Sequence, residues 1–189
     1  MQLKISSITN LTDARFFSAI GAHYLGFNFD VLNEHNISIA QAKEIIQWLH
    51  EPVITGEFGK HQTKEEIEFI AKQMELNEIQ IPIGHPQKNE LAFDKFLVLD
   101  DIKSVFPNPL STDFYVIKIE SKEIDNPELK NFISTHKVFL ETDFTKDNIQ
   151  QITETLQPYG IQITCRKEEK AGLSFVDEYA ELLEMIGFS

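Results

Sequence analysis

The stretch "KISSITNLTDARFFSAIGAHYLGFNFD", residues 4–30, predicts a strand, a turn, a helix and a second strand. Strand-like residues at 3–8 and 24–29 flank a helical pattern at 11–20. Gly21 follows the last apolar turn of that helix, as a C′ residue commonly does. Because strand, helix and strand follow one another directly, this stretch predicts the repeating unit of a parallel α/β fold.

The same alternation continues to the end of the chain. Further strand-like segments lie at 53–58, 78–81, 96–99, 114–119, 138–141 and 161–164. Helical patterns lie at 38–49, 64–74, 126–134, 146–156 and 175–186. Eight strands that alternate with helices predict a parallel sheet, and right-handed crossovers would close it into a small (βα)8 TIM barrel. No linker-like or low-complexity run interrupts the chain, so we expect a single domain over residues 1–189.

One connection departs from this pattern. The segment "DDIKSVFPNPLSTD", residues 100–113, follows the fifth strand and contains Pro107 and Pro109. A proline removes one backbone donor and restricts the residue before it, so a regular helix has little room here. We therefore expect at least one shortened βα unit, between the fifth and sixth strands.

Composition and charge exclude several classes of protein. The net charge of −13 disfavours nucleic acid and anionic membranes as partners, because a phosphate backbone requires clustered Lys and Arg. No apolar run approaches the length of a membrane span. Cys165 is the single cysteine, which fits a reducing compartment. We therefore expect a cytoplasmic protein without nucleic-acid or membrane partners, and the six scattered histidines predict no metal site.

Two blocks of sequence carry a resemblance to a known family. The first is the opening quoted above, and the second is "FLETDFTKDNIQQITETLQPYGIQITCRKE", residues 139–168. These blocks resemble the phosphoribosylanthranilate isomerases of tryptophan biosynthesis, whose patterns there are Lys-Ile-Cys-Gly-Ile-Thr-Asn and Leu-Ala-Gly-Gly-Leu-Thr-Pro-Glu-Asn-Val. The resemblance implies an eight-stranded βα barrel that catalyses an Amadori rearrangement without a metal or an organic cofactor. Such a reaction needs a general base, a general acid and a site for the substrate phosphate.

The resemblance assigns the acid and the base to the ends of two strands. The family's general base is the cysteine of Lys-Ile-Cys-Gly, and Ser6 stands there, on the face of the first strand that turns inward together with Lys4. A serine hydroxyl without an activating partner is a far weaker base than a thiolate. Cys165 either approaches the same rim or is packed in the core. Lys118 stands at the position of the general acid, where it either donates a proton or pairs with a nearby carboxylate.

The resemblance places the phosphate site at the ends of the last three strands, where the family has glycine-rich loops. The matching positions are occupied here by Glu141, Thr142, Asp143, Thr164, Cys165 and Arg166. Either acidic side chain would repel a phosphate by about 1–4 kcal/mol at a separation of about 4 Å, depending on the local dielectric constant. Arg166 would attract the phosphate. Two further substrate positions match His35, which replaces an arginine, and Gln80, which the family shares.

These replacements leave three hypotheses open. The first is a diverged phosphoribosylanthranilate isomerase with weak activity. The second is a catalytically silent barrel that binds another ligand or a partner protein. The third is a new activity built from charged residues near the strand ends, which are Glu57, Lys118, Glu141, Asp143 and Arg166. We expect a small-molecule ligand at the C-terminal mouth of the barrel, and a chain that is monomeric or homodimeric.

Overall fold

Eight parallel strands form a closed barrel, in which each strand pairs with the next along the chain and the last pairs with the first. The computed structural model describes residues 1–100, 114–165 and 176–188. The strands are β1 (Gln2–Ser6), β2 (Tyr24–Asn28), β3 (Val53–Glu57), β4 (Glu78–Pro82), β5 (Asp94–Leu99), β6 (Phe114–Lys118), β7 (Val138–Glu141) and β8 (Gly160–Thr164). The predicted (βα)8 barrel is confirmed, with strand bounds close to those expected from the sequence.

Capping side chains fix where several helices begin. The helices are α1 (Leu11–Ala19), α2 (Ile39–Ile46), α3 (Lys64–Met74), α4 (Pro127–Thr135), α5 (Ile149–Leu156) and α6 (Val176–Glu184). The Asn10 side chain accepts the backbone N–H of Asp13 at the start of α1. Thr63 and Glu66 cap each other's backbone at the start of α3, whose predicted bounds are confirmed. None of the helices in the described ranges has the length and apolar character needed to cross a membrane.

The first strand is shorter than the alternation predicts, because the chain turns sharply after Ser6. Ser7 has a φ of +61°, in the left-handed region that non-glycine residues rarely adopt. This conformation ends β1 and directs the chain into the turn before α1. The predicted strand at residues 3–8 is therefore wrong at its C-terminal end.

The connection between β4 and β5 has no helix. Residues 83–93 form this connection through turns alone. His85 fixes its path, because His85 Nε2 lies 2.9 Å from the Gln62 carbonyl oxygen and His85 Nδ1 accepts the Gln87 N–H. This βα unit therefore has no helix, in agreement with the sequence, which has no helical pattern between residues 81 and 96. The expected short unit at residues 100–113 lies almost entirely outside the described residues.

The barrel has two apolar layers, one outside the sheet and one inside it. Leu3 and Ile5 belong to the outer layer, which packs between the sheet and the helices. The inner layer consists of Tyr24, Phe96, Val98, Phe114, Val116 and Phe139. Tyr24 on β2 and Phe96 on β5 have ring centroids 5.1 Å apart, a contact across the lumen that only inward-facing side chains can make. Because Tyr24 and Phe114 begin their strands, these rings close the N-terminal end of the barrel and leave the C-terminal end for polar groups.

An acidic pair lies near the closed end of the barrel. Glu78 and Asp94 are register partners on β4 and β5. Burial, and then the Asp94 carboxylate, raise the pKa of Glu78, and Lys4 opposes this shift. Burial, followed by Glu78, Tyr159 and Asp94, raises the pKa of Tyr24 to about 12. The folded state therefore disfavours ionised groups in this part of the interior.

We expect Glu78→Gln to raise the melting temperature at about pH 7.5 and to leave it unchanged near about pH 3.5. A carboxyl group whose pKa is raised on folding stabilises the protein fully below its unfolded pKa, and this contribution is lost as the pH rises through the folded pKa. Glutamine removes the ionisable group, so the variant gains stability only at the higher pH. Thermal unfolding followed by circular dichroism at both pH values measures the difference.

Glu44→Gln, on the exposed side of α2, is the matched control. We expect no comparable pH-dependent difference for this variant, because water solvates the Glu44 carboxylate in both states. Equal effects of the two substitutions would contradict the role assigned to Glu78.

Candidate functional site

Lys4 and Glu57 form an ion pair inside the barrel. Lys4 Nζ lies 3.0 Å from Glu57 Oε1, and the exposed fractions of the two residues are 0% and 2%. Lys4 Nζ also lies 5.4 Å from the centroid of the Phe96 ring, in the inner layer. A Cβ atom at Gly26 would lie 1.9 Å from Glu57 Oε1, so glycine is what leaves room for the pair on β2. The predicted inward orientation of Lys4 is confirmed by these contacts.

The second carboxylate oxygen of Glu57 holds the turn after β1. Glu57 Oε2 accepts the backbone N–H of Ser7 at 3.1 Å and the Ser7 hydroxyl at 3.2 Å. These hydrogen bonds stabilise the left-handed conformation of Ser7, at the position where the pattern Lys-Ile-Cys-Gly has glycine. Lys4, Glu57 and Ser7 thus form one buried network that connects β1, β3 and the β1–α1 turn.

Among the described residues, Ser6 has no neighbour that could activate its hydroxyl. Ser6 Oγ lies 3.4 Å from Ser7 Oγ, and no other side chain in the described part of the chain hydrogen-bonds to it. Because the Ser7 hydroxyl donates to Glu57, the Ser6 hydroxyl is the donor between the two serines. A hydroxyl without a basic acceptor for its proton is not prepared to act as a nucleophile or as a general base.

Cys165 follows β8 next to Ser6, but its side chain belongs to the outer apolar layer. Its backbone N–H donates to the Ser6 carbonyl oxygen at 2.9 Å. Burial, and then the carboxylates of Asp13 and Glu57, raise the pKa of the Cys165 thiol well above its usual range. The thiol therefore stays protonated at neutral pH, which makes it a poor substitute for a catalytic thiolate.

A cavity of 510 Å³ opens at the C-terminal ends of β6, β7 and β8. Its wall includes five residues that the sequence assigns to the site, which are Lys118, Glu141, Thr142, Asp143 and Thr164. Apolar parts of the wall are formed by Ile119, Phe144, Ile163 and Leu182. Small-molecule sites in proteins have volumes of about 300–1,000 Å³, so this cavity is large enough for a ligand.

The Glu141 carboxylate is fixed on the wall of this cavity by two hydrogen bonds from β8. Glu141 Oε2 accepts from Gln162 Nε2 at 2.9 Å, and Glu141 Oε1 accepts from the Thr164 hydroxyl at 2.9 Å. Both donors are uncharged, so neither hydrogen bond brings a counter-charge to the carboxylate. This carboxylate lies at the C-terminal end of β7.

Lys118 is the cross-strand partner of Glu141, yet the two do not form an ion pair. Within the part of the chain that the structure describes, no carboxylate lies at ion-pair distance from Lys118 Nζ. The other lysine on the wall, Lys146, pairs with Glu181. Among the described residues, nothing supports the alternative in which Lys118 pairs with a nearby carboxylate.

Two further predicted site residues, His35 and Gln80, lie away from this cavity. His35, in the β2–α2 connection, has its Nε2 3.7 Å from Glu34 Oε1. Gln80 on β4 has a buried Oε1 that no described group hydrogen-bonds. Neither residue borders the cavity, and Arg166 lies outside the described residues. Over the described ranges, no three His, Cys, Asp or Glu side chains come together as a possible metal site.

Gln162 and Gly26 both shape the site, but the local sequence pattern distinguishes neither of them from other strand residues. Gln162 is 1% exposed and lies at the centre of β8. A buried amide or charged group requires a polar partner, so Gln162 and Lys4 each indicate a hydrogen-bonded network inside the barrel. The identity of those partners depends on contacts between strands, which the local pattern does not encode.

Comparisons with known proteins support the barrel fold and the family resemblance. The N-(5′-phosphoribosyl)anthranilate isomerase of Pelodictyon phaeoclathratiforme is 38% identical over 80 residues, which are 42% of this chain and 37% of that protein. The crystal structure of phosphoribosyl anthranilate isomerase from Thermus thermophilus has a TM-score of 0.78 and 20% identity, over 98% of both chains. The chain resembles the phosphoribosylanthranilate isomerases. No model of a protein family matches it.

The aligned segment spans little more than a third of the curated phosphoribosylanthranilate isomerase, whereas the fold is shared over nearly the whole chain. One further isomerase structure contains reduced 1-(o-carboxyphenylamino)-1-deoxyribulose 5-phosphate, and it matches with a TM-score of 0.77 and 19% identity over 97% of both chains. The Thermotoga maritima isomerase is described as dimeric and was also obtained as monomers. The resemblance stated for residues 4–30 and 139–168 is thus confirmed in sequence and in fold.

We expect Lys4→Met to destabilise the protein by about 3–5 kcal/mol, because it leaves the buried Glu57 carboxylate without a counter-ion. The double variant Lys4→Met/Glu57→Gln should be more stable than Lys4→Met. Its glutamine is neutral and its side-chain oxygen can still accept from Ser7. Equilibrium unfolding in urea gives the three free energies.

The control is Lys130→Met, which removes an exposed ion pair with Asp125. Exposed pairs contribute about 0–1 kcal/mol, so this variant should unfold close to the wild type. A double variant that is no more stable than Lys4→Met would show that lost packing, not an unpaired charge, causes the destabilisation.

Proposed function

We propose that this chain is a diverged barrel of the phosphoribosylanthranilate isomerase type that turns over N-(5-phosphoribosyl)anthranilate weakly or not at all. The observation that carries the proposal is the Glu141 carboxylate, which Gln162 and Thr164 fix on the wall of the cavity. The resemblance puts the substrate phosphate in this place. A phosphate about 4 Å from the carboxylate would be repelled by about 1–4 kcal/mol.

The surroundings of Ser6 and Cys165 also support weak turnover. Ser6 hydrogen-bonds only to Ser7 among the described side chains, so its hydroxyl has no basic partner. The raised pKa of the buried Cys165 thiol keeps it protonated. A positioned general base typically contributes about 10²–10⁴-fold to a rate, and neither residue is prepared for that role. Lys118 remains the proposed proton donor.

The cavity at the ends of β6 to β8 is the proposed site of a small-molecule ligand. Lys118, Glu141, Asp143 and Thr164 would contact the ligand there. By resemblance, we retain four further residues as proposed contacts or neighbours of the ligand, which are His35, Gln80, Cys165 and Arg166. We propose that binding requires neither a metal ion nor an organic cofactor.

A second candidate is a catalytically silent barrel that binds a different ligand or a partner protein. The observation that favours it is that the proposed base and the proposed phosphate site are altered together. Weak turnover and silence differ in one measurable respect, because a weak enzyme still releases product from the family's substrate.

We further propose a single cytoplasmic domain that is monomeric or homodimeric. The net charge of −13 supports the absence of nucleic-acid and anionic-membrane partners, because such surfaces repel an acidic protein.

We expect the purified protein to consume N-(5-phosphoribosyl)anthranilate very slowly or not at all, and Ser6→Cys alone not to restore activity. The substitution returns a thiol, but the Glu141 and Asp143 carboxylates still line the proposed phosphate site. Loss of anthranilate fluorescence from freshly prepared substrate measures the rate. The Thermus thermophilus isomerase, assayed in parallel, is the positive control. Robust turnover by the wild-type chain would contradict the proposal.

We expect Glu141→Gln/Asp143→Asn to bind reduced 1-(o-carboxyphenylamino)-1-deoxyribulose 5-phosphate at least about tenfold more tightly than the wild type. The substitutions remove two negative charges from the cavity and keep similar side-chain shapes. Isothermal titration calorimetry measures both dissociation constants, and Glu44→Gln controls for the change in net charge. Tight binding by the wild type would contradict a lost phosphate site.

A further inference from the structure

Lys118 is an exposed lysine on the cavity wall that has no counter-ion among the described residues. It is the last residue of β6, and its cross-strand partner is Glu141. Opposite charges at such positions ordinarily form an ion pair. Here Glu141 directs both oxygens to Gln162 and Thr164 on β8, and the described residues offer Lys118 no other carboxylate. The Lys118 amine is therefore available to a ligand.

The surroundings of Lys118 disfavour an anionic ligand and suit a small neutral one. Glu141 and Asp143 supply negative charge on the same wall, and Ile119 and Ile163 supply apolar surface. An unpaired amine beside a fixed carboxylate provides a nucleophile and a group that transfers protons. This combination occurs inside a concave site, which can hold a reactant close to both groups.

We propose that Lys118 is a carbonyl-reactive lysine, which forms an imine with a small aldehyde or ketone bound in the cavity. Glu141 transfers the protons. The ligand class is short hydroxyaldehydes and hydroxyketones without a phosphate group. This activity is independent of the Amadori rearrangement, because it requires neither Ser6 nor a phosphate site.

The reaction balances without an oxidant, a reductant or a cofactor. After Lys118 has released one proton to solvent, its neutral Nζ attacks the carbonyl carbon and forms a C–N bond. The two protons of the amine pass in turn to the carbonyl oxygen, which leaves as water while the nitrogen lone pair completes the C=N bond. One amine and one carbonyl give one imine and one water.

Glu141 is placed to carry these protons between nitrogen and oxygen. Each of its carboxylate oxygens accepts one hydrogen bond from β8 and retains a further lone pair. A ligand carbon bonded to Lys118 Nζ would lie between β6 and the carboxylate on β7, since the two residues are register partners.

The test uses the 189-residue chain with glycolaldehyde and sodium cyanoborohydride, which reduces an imine to a stable secondary amine. Peptide mass mapping gives the rate at which each lysine gains a hydroxyethyl group. Lys72 is the internal reference, because it is exposed on α3 and also has no ion pair within the described ranges. We expect Lys118 to react at least about ten times faster than Lys72, with a rate that saturates as glycolaldehyde increases.

A Lys118 rate equal to that of Lys72, or one that rises linearly with glycolaldehyde, would overturn the proposal, since either is the behaviour of an ordinary surface amine. The comparison is made within the wild-type protein and does not depend on the folding of a variant. It also uses no phosphoribosyl substrate, so its outcome is separate from that of the isomerase assay.

Glu141→Gln tests the proton-transfer step, because glutamine retains the side-chain shape but does not take up a proton. We expect the Lys118 rate to fall by about 10²-fold while the Lys72 rate stays unchanged. An unchanged Lys118 rate in this variant would overturn the role given to Glu141. Lys118→Arg should abolish the saturable labelling, and its persistence would assign the reaction to another lysine.

Discussion

The ion pair between Lys4 and Glu57 is the constraint on which the barrel interior depends. Two opposite charges can be buried together, but the loss of either partner is destabilising by about 3–5 kcal/mol. The pair joins β1 to β3 across the intervening β2, so the strand between them must leave room. Gly26 provides that room, and Glu57 then uses its second oxygen to hold Ser7. The Glu57 carboxylate thereby holds β1, β3 and the turn after β1 together.

The same network determines the chemistry available at Ser6. Glu57 Oε1 accepts from Lys4 and Glu57 Oε2 accepts from Ser7, so both oxygens of this carboxylate already have partners. Glu57 therefore stabilises the turn and does not act as a base for Ser6. Cys165, next to Ser6 along the β1–β8 pairing, is held in the outer layer as a protonated thiol. The residues at the C-terminal end of β1 thus stabilise the fold, whereas the open cavity lies at the ends of β6 to β8.

The order of strands and helices follows from the sequence because periodicity and capping are local properties. The bounds of α3 and the inward orientation of Lys4 are examples. The pairing of Lys4 with Glu57 depends on the register of two strands that are not neighbours, so no local pattern identifies it. The resemblance identifies Glu141 as a site residue. Its orientation depends on Gln162, and that dependence is why Glu141 does not form an ion pair with Lys118.

Glu57 and Glu141 are placed alike at the ends of their strands but have different partners. Each carboxylate ends a strand and accepts hydrogen bonds from a neighbouring element. Glu57 also pairs with Lys4, so this buried pair carries no net charge. Among the described residues, Glu141 accepts hydrogen bonds from two neutral donors and forms no ion pair with Lys118 at the mouth. A phosphate cradle needs converging N–H donors and no carboxylate, whereas an amine and a carboxylate held apart in a partly apolar cavity favour the transfer of protons through a bound neutral molecule.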